Sequence, residues 1–283
     1  MSAYSITKQH KCYGGKQLFC QHESEELGCT MNFAIYLPPN AELVNCPVLW
    51  FLSGLTCTEE NFIIKSGVQK YAAEHNMIII SPDTSPRGTD TAGEDGDYAL
   101  GTGAGFYVDA TQEPWSKHYR MYSYITKELQ NLVTENFPVD AQKQAITGFS
   151  MGGHGALVLG LRNPELYRSV SALAPINAPS QCPWGKNAYN HYFGADKTKW
   201  ADYDAIELLK QGARHSALHV DQGSADEFLE EQLQPKILEQ TCSDVGQELH
   251  LRILEGYDHS FYFVASVIGE HVALHADRLN QGS

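Results

Sequence analysis

Gln144-Ala145-Ile146-Thr147-Gly148-Phe149-Ser150-Met151-Gly152-Gly153-His154-Gly155-Ala156 sets a serine inside G-x-S-x-G, between an apolar run of strand character and a run of helix character. A serine hydroxyl attacks well only when it is held exposed, beside a base and beside donors for the oxyanion that it creates. A sharp strand-to-helix turn holds it so, at the expense of a strained backbone that tolerates little bulk nearby. Gly148 and Gly152 remove that bulk, and Gly153 and Gly155 let the helix that follows approach the sheet. The N–H of Met151 falls at the helix N-terminus, where it has no intrahelical acceptor and can face an anion. With 24 glycines in 283 residues a bare G-x-S-x-G carries little, so the flanking strand and helix decide the reading.

Working outward, apolar β-rich runs alternate with helical patterns over most of the chain, which predicts an α/β fold with a mostly parallel central sheet and helices on both faces. Residues 31–37 alternate as an outer strand does, whereas 47–52 (PVLWFL) and 77–80 (MIII) are continuous apolar runs suited to strands buried on both faces. Further strands are predicted over 145–149, 169–174, 218–222 and 248–254. Helices are predicted over 58–75 with Thr58 as N-cap, 120–137 stopped by Pro138, 152–161, 225–240, and after His259. The pattern reads as one domain over residues 1–283, with active-site excursions near 84–118 and 176–204. The first of these carries Asp90, Glu94, Asp95 and Asp97 among glycines, either as a solvated acidic loop or as a substrate-facing one.

A formal net charge of −14 makes a nucleic-acid backbone an unfavourable partner, and it requires locally placed cations for any anionic substrate. No apolar run approaches the length of a membrane span, and residues 1–10 lack the basic start and apolar stretch of a leader, so a cytoplasmic location is expected. Seven scattered cysteines without C-x-x-C spacing argue against a disulfide framework and against a zinc site, and no metal or organic cofactor is expected.

Acyl transfer needs an imidazole beside Ser150 and a carboxylate to orient it, following in the order serine, acid, histidine. Of the 12 histidines, His259 in LEGYDHSF alone follows a strand end and a turn-forming glycine. His215, His219 and His250 sit in or beside strands, His271 and His275 lie deep in the last helix, and His154 points along the elbow helix, where packing is the expected role. For the acid, Asp226 stands in the loop after the strand 218–222, with Asp221 and Asp258 as rivals and a helix N-cap as its alternative role. The second oxyanion donor is expected from the loop 53–61, where Gly54 permits the backbone angle that turns the Leu55 N–H inward.

Taken together, residues 53–61 (SGLTCTEEN), 81–88 (SPDTSPRG), 105–115 (GFYVDATQEPW), 118–124 (HYRMYSY), the elbow, 222–229 (QGSADEFL) and 256–262 (GYDHSFY) resemble the S-formylglutathione hydrolase family, also called esterase D, of the α/β-hydrolase superfamily. The resemblance implies Ser150 as nucleophile, His259 as base, Asp226 as orienting acid, Leu55 and Met151 as oxyanion donors, and Cys57 close to the serine, where family members are sensitive to thiol reagents. It implies a thioesterase that releases glutathione and formate from S-formylglutathione through a formyl-serine, with a homodimer as the family expectation and neither nucleic acid nor membrane as partner. Glutathione carries two carboxylates and one ammonium, so Lys186, Arg87 and the acidic loop near Glu94 are candidate contacts, and Trp184 either stacks over the mouth or packs the excursion down. The competing readings are a general short-chain carboxylesterase with the same triad, an acyltransferase, and a binding protein on a hydrolase fold, which the complete Ser, Asp, His set disfavours.

Overall fold

The computed structural model describes residues 4–281; of the amino-terminal stretch 1–10, residues 1–3 lie outside it, as do 282 and 283. Among the described residues, strands β1 (Tyr4–Cys12), β2 (Gly15–Ser24), β3 (Cys29–Leu37), β4 (Cys46–Leu52), β5 (Ile78–Pro82), β6 (Val139–Gly148), β7 (Ser169–Leu173), β8 (Leu218–Gly223) and β9 (Leu249–Leu254) form one sheet. Its order is β1-β2-β3-β5-β4-β6-β7-β8-β9. The pairs from β1 to β5 are antiparallel, and every pair from β5 through β4 to β9 is parallel. This is the mostly parallel sheet expected from the alternating runs, in the α/β-hydrolase arrangement that the resemblance implies.

Helices α1 (Glu59–Lys65), α2 (Val68–Glu74), α3 (Met121–Ser123), α4 (Gln130–Asn136), α5 (Met151–Arg162), α6 (Pro183–Phe193), α7 (Lys197–Ala201), α8 (Ala205–Lys210), α9 (Pro235–Val245) and α10 (Phe261–Asn280) cover the sheet. Strand β7 shows why both faces are covered. Val170 meets Gly160 of α5 so closely that a Cβ there would lie 2.4 Å from a valine methyl. Ser169 and Ser171 point the other way, to His275 and His271 of α10. Successive residues of a strand alternate faces, so SVSAL carries small residues toward both helices.

Five differences from the sequence reading stand out, the first being that the expected helix over 120–137 is interrupted between α3 and α4 by a π-helical stretch at Tyr124–Leu129. The expected helix over 58–75 is two helices, because Gly67 takes a left-handed φ of 68° between α1 and α2. The N-cap holds, with Thr58 and Asn61 forming a reciprocal capping box. The expected helix over 225–240 gives way to a π-helical turn at Leu229–Leu233 and to α9, since Pro235 has no N–H to continue a helix but suits its first turn. The excursion near 176–204 contains α6 and α7. Strands β1 and β2 were not foreseen, and β1 (YSITKQHKC) is exposed along nearly all its length, a polar edge carrying Lys8 and Lys11 that lacks an apolar signal and blunts edge-to-edge pairing.

Helix α10 is pinned to the sheet by a buried polar row. Ser171 Oγ lies 2.8 Å from Thr147 Oγ1, from His275 Nε2 and from His271 Nδ1. His271 Nε2 reaches Asp221 Oδ2 at 3.1 Å, and Arg252 grips the same carboxylate through Nε and Nη2. Burial pushes the Asp221 carboxyl up, but the hydrogen bonds from His271 and Arg252 outweigh it and hold it down at about 2. No helix among the described residues is long and apolar enough to cross a membrane.

Acid should loosen this fold well above the usual carboxylate range. Burial lowers His154 to about 4, and it lowers His22, His219 and His275 as well. Below pH ~6.5 the unfolded chain therefore binds protons that the folded chain refuses, and stability falls as pH falls, by ~1.4 kcal/mol per pH unit for a fully buried group such as His154. Glu59, which burial and the Asp83 charge raise to about 7, and Asp204, which burial raises, oppose this over part of the window, two carboxyls against four imidazoles. Asp221 adds its own loss only below pH ~3.8, as pH falls toward its folded value. Urea midpoints measured from pH 7 to pH 4 should drop monotonically, and a flat profile contradicts the assignment of neutral buried histidines.

Candidate active site

The turn between β6 and α5 places Ser150 at φ 60° and ψ −119°, a conformation that a non-glycine residue adopts only under constraint. The constraint is visible in its hydrogen bonds and close packing. Ser150 N donates to Leu173 O at 2.9 Å, Phe149 N donates to Leu52 O at 3.0 Å, and His154 N and Ile176 N donate to Ser150 O. A Cβ on Gly148 would lie 2.2 Å from Gly152 O, and one on Gly152 would lie 1.9 Å from Leu52 O. The glycines around the serine are thus fixed by backbone contact.

His259 Nε2 stands 2.9 Å from Ser150 Oγ, and His259 Nδ1 stands 2.6 Å from Asp226 Oδ2. Two loops from adjacent parallel strands make this possible. The chain after β8 lies so close to the loop after β9 that a Cβ on Gly223 would meet Tyr257 O at 2.2 Å, and Ala225 N donates to Tyr257 O. Gln222 Nε2 and Phe228 N donate to the Asp226 carboxylate at 3.0 and 2.9 Å, so its orientation is fixed from behind. The His259 ring sits between Phe149 at 4.6 Å and Phe228 at 5.1 Å, centroid to centroid. Neither flanking ring was singled out in the sequence, although both stand inside the quoted motifs.

The rivals are occupied elsewhere. Asp221 is held by Arg252 and His271, and Asp258 accepts from Ser260 Oγ at 2.5 Å. His154 Nε2 donates to Phe106 O at 3.0 Å within the core, as the packing role predicts. His219 and His250 stack on each other at 4.5 Å, and His215 Nε2 bonds Tyr167 O. Ser171, His271 and Asp221 form a second serine, histidine, aspartate row, but Ser171 is fully buried in mid-strand under α10 and has no strained turn or helix N-terminus beside it.

Neither the Leu55 N–H nor the Met151 N–H has a protein acceptor among the described residues. A Cβ on Gly54 would come within 3.1 Å of Ser150 Cβ, so this loop runs directly against the serine. The excursion over 83–117 supports it: Thr56 N donates to Gly103 O at 2.9 Å, Tyr107 Oη donates to Ser53 O at 2.7 Å, and Thr84 Oγ1 donates to Cys57 O at 2.5 Å. Arg87 belongs to the same support, gripping buried Asp83 through Nε and Nη2 and donating to Cys57 O at 3.0 Å. Glu94 is turned inward, accepting from Thr89 Oγ1 at 2.6 Å and from Tyr119 Oη at 3.3 Å. Asp90, Asp95 and Asp97 are exposed, as the solvated-loop reading expects, whereas buried Glu94 and inward-turned Arg87 make the excursion a buttress of the serine-side loop as well, a third role beside the two weighed from the sequence.

Cys57 is buried, and burial pushes its thiol up, partly countered by Lys65, the Gly54 backbone and Arg87. Trp184 Nε1 donates to Tyr98 Oη at 2.5 Å while its ring packs 4.7 Å from Phe228, one ring removed from His259. Lys186, two residues on along α6, is exposed and is felt electrostatically by Lys197. Residues two apart on a helix do not share a face, so Trp184 and Lys186 look to different sides.

A serine hydrogen-bonded to a carboxylate-held imidazole, at a strained strand-to-helix turn on the carboxyl edge of parallel strands, defines a serine hydrolase of the α/β-hydrolase fold. The Esterase family model matches residues 24–274. The S-formylglutathione hydrolase from Agrobacterium tumefaciens is 46% identical, with 98% of this chain and 100% of that chain covered and a TM-score of 0.96. The chain belongs to the S-formylglutathione hydrolase family. More distant structures share the fold: an S-formylglutathione hydrolase from Staphylococcus aureus at 16% identity, covering 97% of this chain and 100% of that one with TM-score 0.71, and a ferulic acid esterase from Anaeromyces mucronatus at 20% identity, covering 97% and 96% with TM-score 0.69.

Proposed function

We propose that this enzyme hydrolyses S-formylglutathione to glutathione and formate, a step of formaldehyde detoxification, with Ser150 as nucleophile, His259 as base and Asp226 as orienting acid. The reading is carried by the Ser150–His259–Asp226 row of hydrogen bonds in a chain 46% identical to an S-formylglutathione hydrolase. His259 Nε2 takes the Ser150 proton as Oγ bonds to the formyl carbon, and the Leu55 and Met151 N–H groups receive the oxyanion. Collapse of the tetrahedral intermediate breaks the C–S bond, and His259 returns its proton to the departing sulfur. Water then gives a proton to the same imidazole as its oxygen attacks the formyl-serine, formate leaves, and Ser150 regains its proton. Asp226 keeps Nδ1 protonated, so that Nε2 stays free to act.

The tight approach of Gly54 to Ser150 favours a formyl or acetyl group over longer acyl chains. A single domain in the cytoplasm agrees with one continuous sheet and with seven unpaired cysteines among the described residues. The homodimer rests on the family resemblance. Loss of thioester absorbance with S-formylglutathione, set against hydrolysis of a short aryl acetate, tests the proposal. A kcat/KM at least about tenfold higher on the thioester is expected, since a matched leaving group adds binding contacts that an aryl group lacks. Equal or better activity on the aryl ester reduces the enzyme to a general short-chain esterase.

A further inference from the structure

In a chain with 34 acidic and 20 basic residues, an anionic substrate needs a cation of its own at the site. Many of the cations lie against acids: Lys8 on Glu60, Lys16 on Glu42, Arg87 on Asp83, Arg120 on Glu26, Arg252 on Asp221 and Glu270. Lys65 does not. It ends α1, the helix that the Thr58 capping box starts directly after the serine-side loop, and among the described residues it has no carboxylate in salt-bridge range.

Its position leads back to the triad in short steps. Lys65 Nζ lies 5.2 Å from the centroid of Phe261, Phe261 lies 5.6 Å from Phe149, and Phe149 lies 4.6 Å from His259. Lys65 is also the largest charge acting on Cys57, inside the loop that runs against Ser150. The face of an aromatic ring holds an ammonium in place without neutralising it, and its N–H donors remain directed at solvent. Lys186, by contrast, stands on a different face of α6 from the ring stack that reaches His259. A glutathione thioester anchored by its carbonyl at Ser150 must lead its peptide arms out toward solvent, and the ladder of rings that starts at His259 ends at the exposed Lys65.

We propose that Lys65 receives a carboxylate of the glutathionyl leaving group and so sets the preference of the enzyme for anionic thioesters over neutral esters. The inference rests on the substrate reading above and names the residue that enforces it. An ammonium meeting a carboxylate makes a charge-assisted hydrogen bond, and at an exposed residue such as Lys65 it acts on binding more than on chemistry.

The test compares kcat/KM on S-formylglutathione with that on a neutral aryl acetate for the wild type, Lys65→Met and Lys65→Arg, with the glycine-amide analogue of S-formylglutathione as a third substrate. Lys65→Met should lower the thioester-to-aryl ratio about tenfold, with the loss in KM, and Lys65→Arg should restore most of it. Added salt should erode the wild-type ratio and leave that of Lys65→Met nearly flat. If the glycine carboxylate is the partner, the amide analogue shows no Lys65→Met penalty; a full penalty assigns the γ-glutamyl carboxylate instead. A thioester preference that survives in Lys65→Met overturns the Lys65 assignment alone, as does a parallel loss on both substrates. A wild type that favours the aryl acetate overturns the glutathione reading and this inference with it.

Discussion

Ser150→Ala should lose kcat/KM on both thioester and aryl ester by ~10⁴-fold or more while melting close to the wild type, and Ser171→Ala should do the reverse. The two serines each stand beside a histidine that reaches an aspartate, at similar distances: 2.9 and 2.6 Å in the Ser150 row, 2.8 and 3.1 Å in the Ser171 row. Hydrogen bonds alone do not tell them apart. The surroundings do. Ser150 sits on a strained turn with two unpaired N–H groups nearby, whereas Ser171 lies in regular strand, sealed between β7 and α10, with its hydroxyl engaged by Thr147, His271 and His275. No carbonyl reaches it. Removing that hydroxyl leaves buried imidazole nitrogens without a partner, at about 1–3 kcal/mol each, and should cost stability with kcat/KM within a few-fold. An active Ser150→Ala protein, or an inactive but fully stable Ser171→Ala protein, reverses the assignment.

The legibility of this site follows the same division between local and tertiary causes. Strands β4 and β5 were readable because they are buried on both faces and therefore carry continuous apolar runs, 47–52 in β4 and 78–80 in β5 before Ser81. The hydrogen-bonded row of Ser150, His259 and Asp226 was readable because the fold imposes a chain order on such a row and because each member follows a strand end. Phe149 and Phe228, which clamp His259, were not, since an aromatic beside a motif reads equally well as core until the two loops are seen to converge. The excursion over 83–117 was legible as a loop but not as a buttress. That role depends on Gly103, whose φ of 76° lets its backbone lie against Thr56, and on Arg87 turning inward to Asp83 and Cys57 O. Charge counting had offered Arg87 and Glu94 to the substrate, and their neighbours in space commit both to holding the loop. Strand β1 was silent for the opposite reason: an exposed edge has no buried face to write a pattern.

Gly152→Ala should be among the most damaging single-methyl changes in the chain, because it strikes fold and catalysis at one point. The added Cβ would sit 1.9 Å from Leu52 O, 2.3 Å from Leu52 C and 2.6 Å from Ser53 O, all backbone atoms with no rotamer to yield. Relief requires α5 to move away from the end of β4. That movement stretches the 3.0 Å bond from Phe149 N to Leu52 O, which closes the turn, and it displaces the start of α5, Met151 N–H included, from the loop at Ser53 and Gly54. Overpacking against rigid backbone is expected to cost ~3 kcal/mol or more, lowering Tm by about 5 °C or more in a chain of this size. Any protein that folds should lose at least ~10²-fold in kcat/KM, the scale set by displacing a catalytic group by about an ångström. Gly246→Ala supplies the comparison: its φ of 71° also disfavours a side chain, but no atom lies within 4 Å of the new Cβ, so only the left-handed strain of ~1 kcal/mol remains and activity is untouched. If the two variants melt together and turn over alike, the approach of α5 to β4 is not what forces glycine into the elbow, and the strained turn at Ser150 must be held by its hydrogen bonds alone.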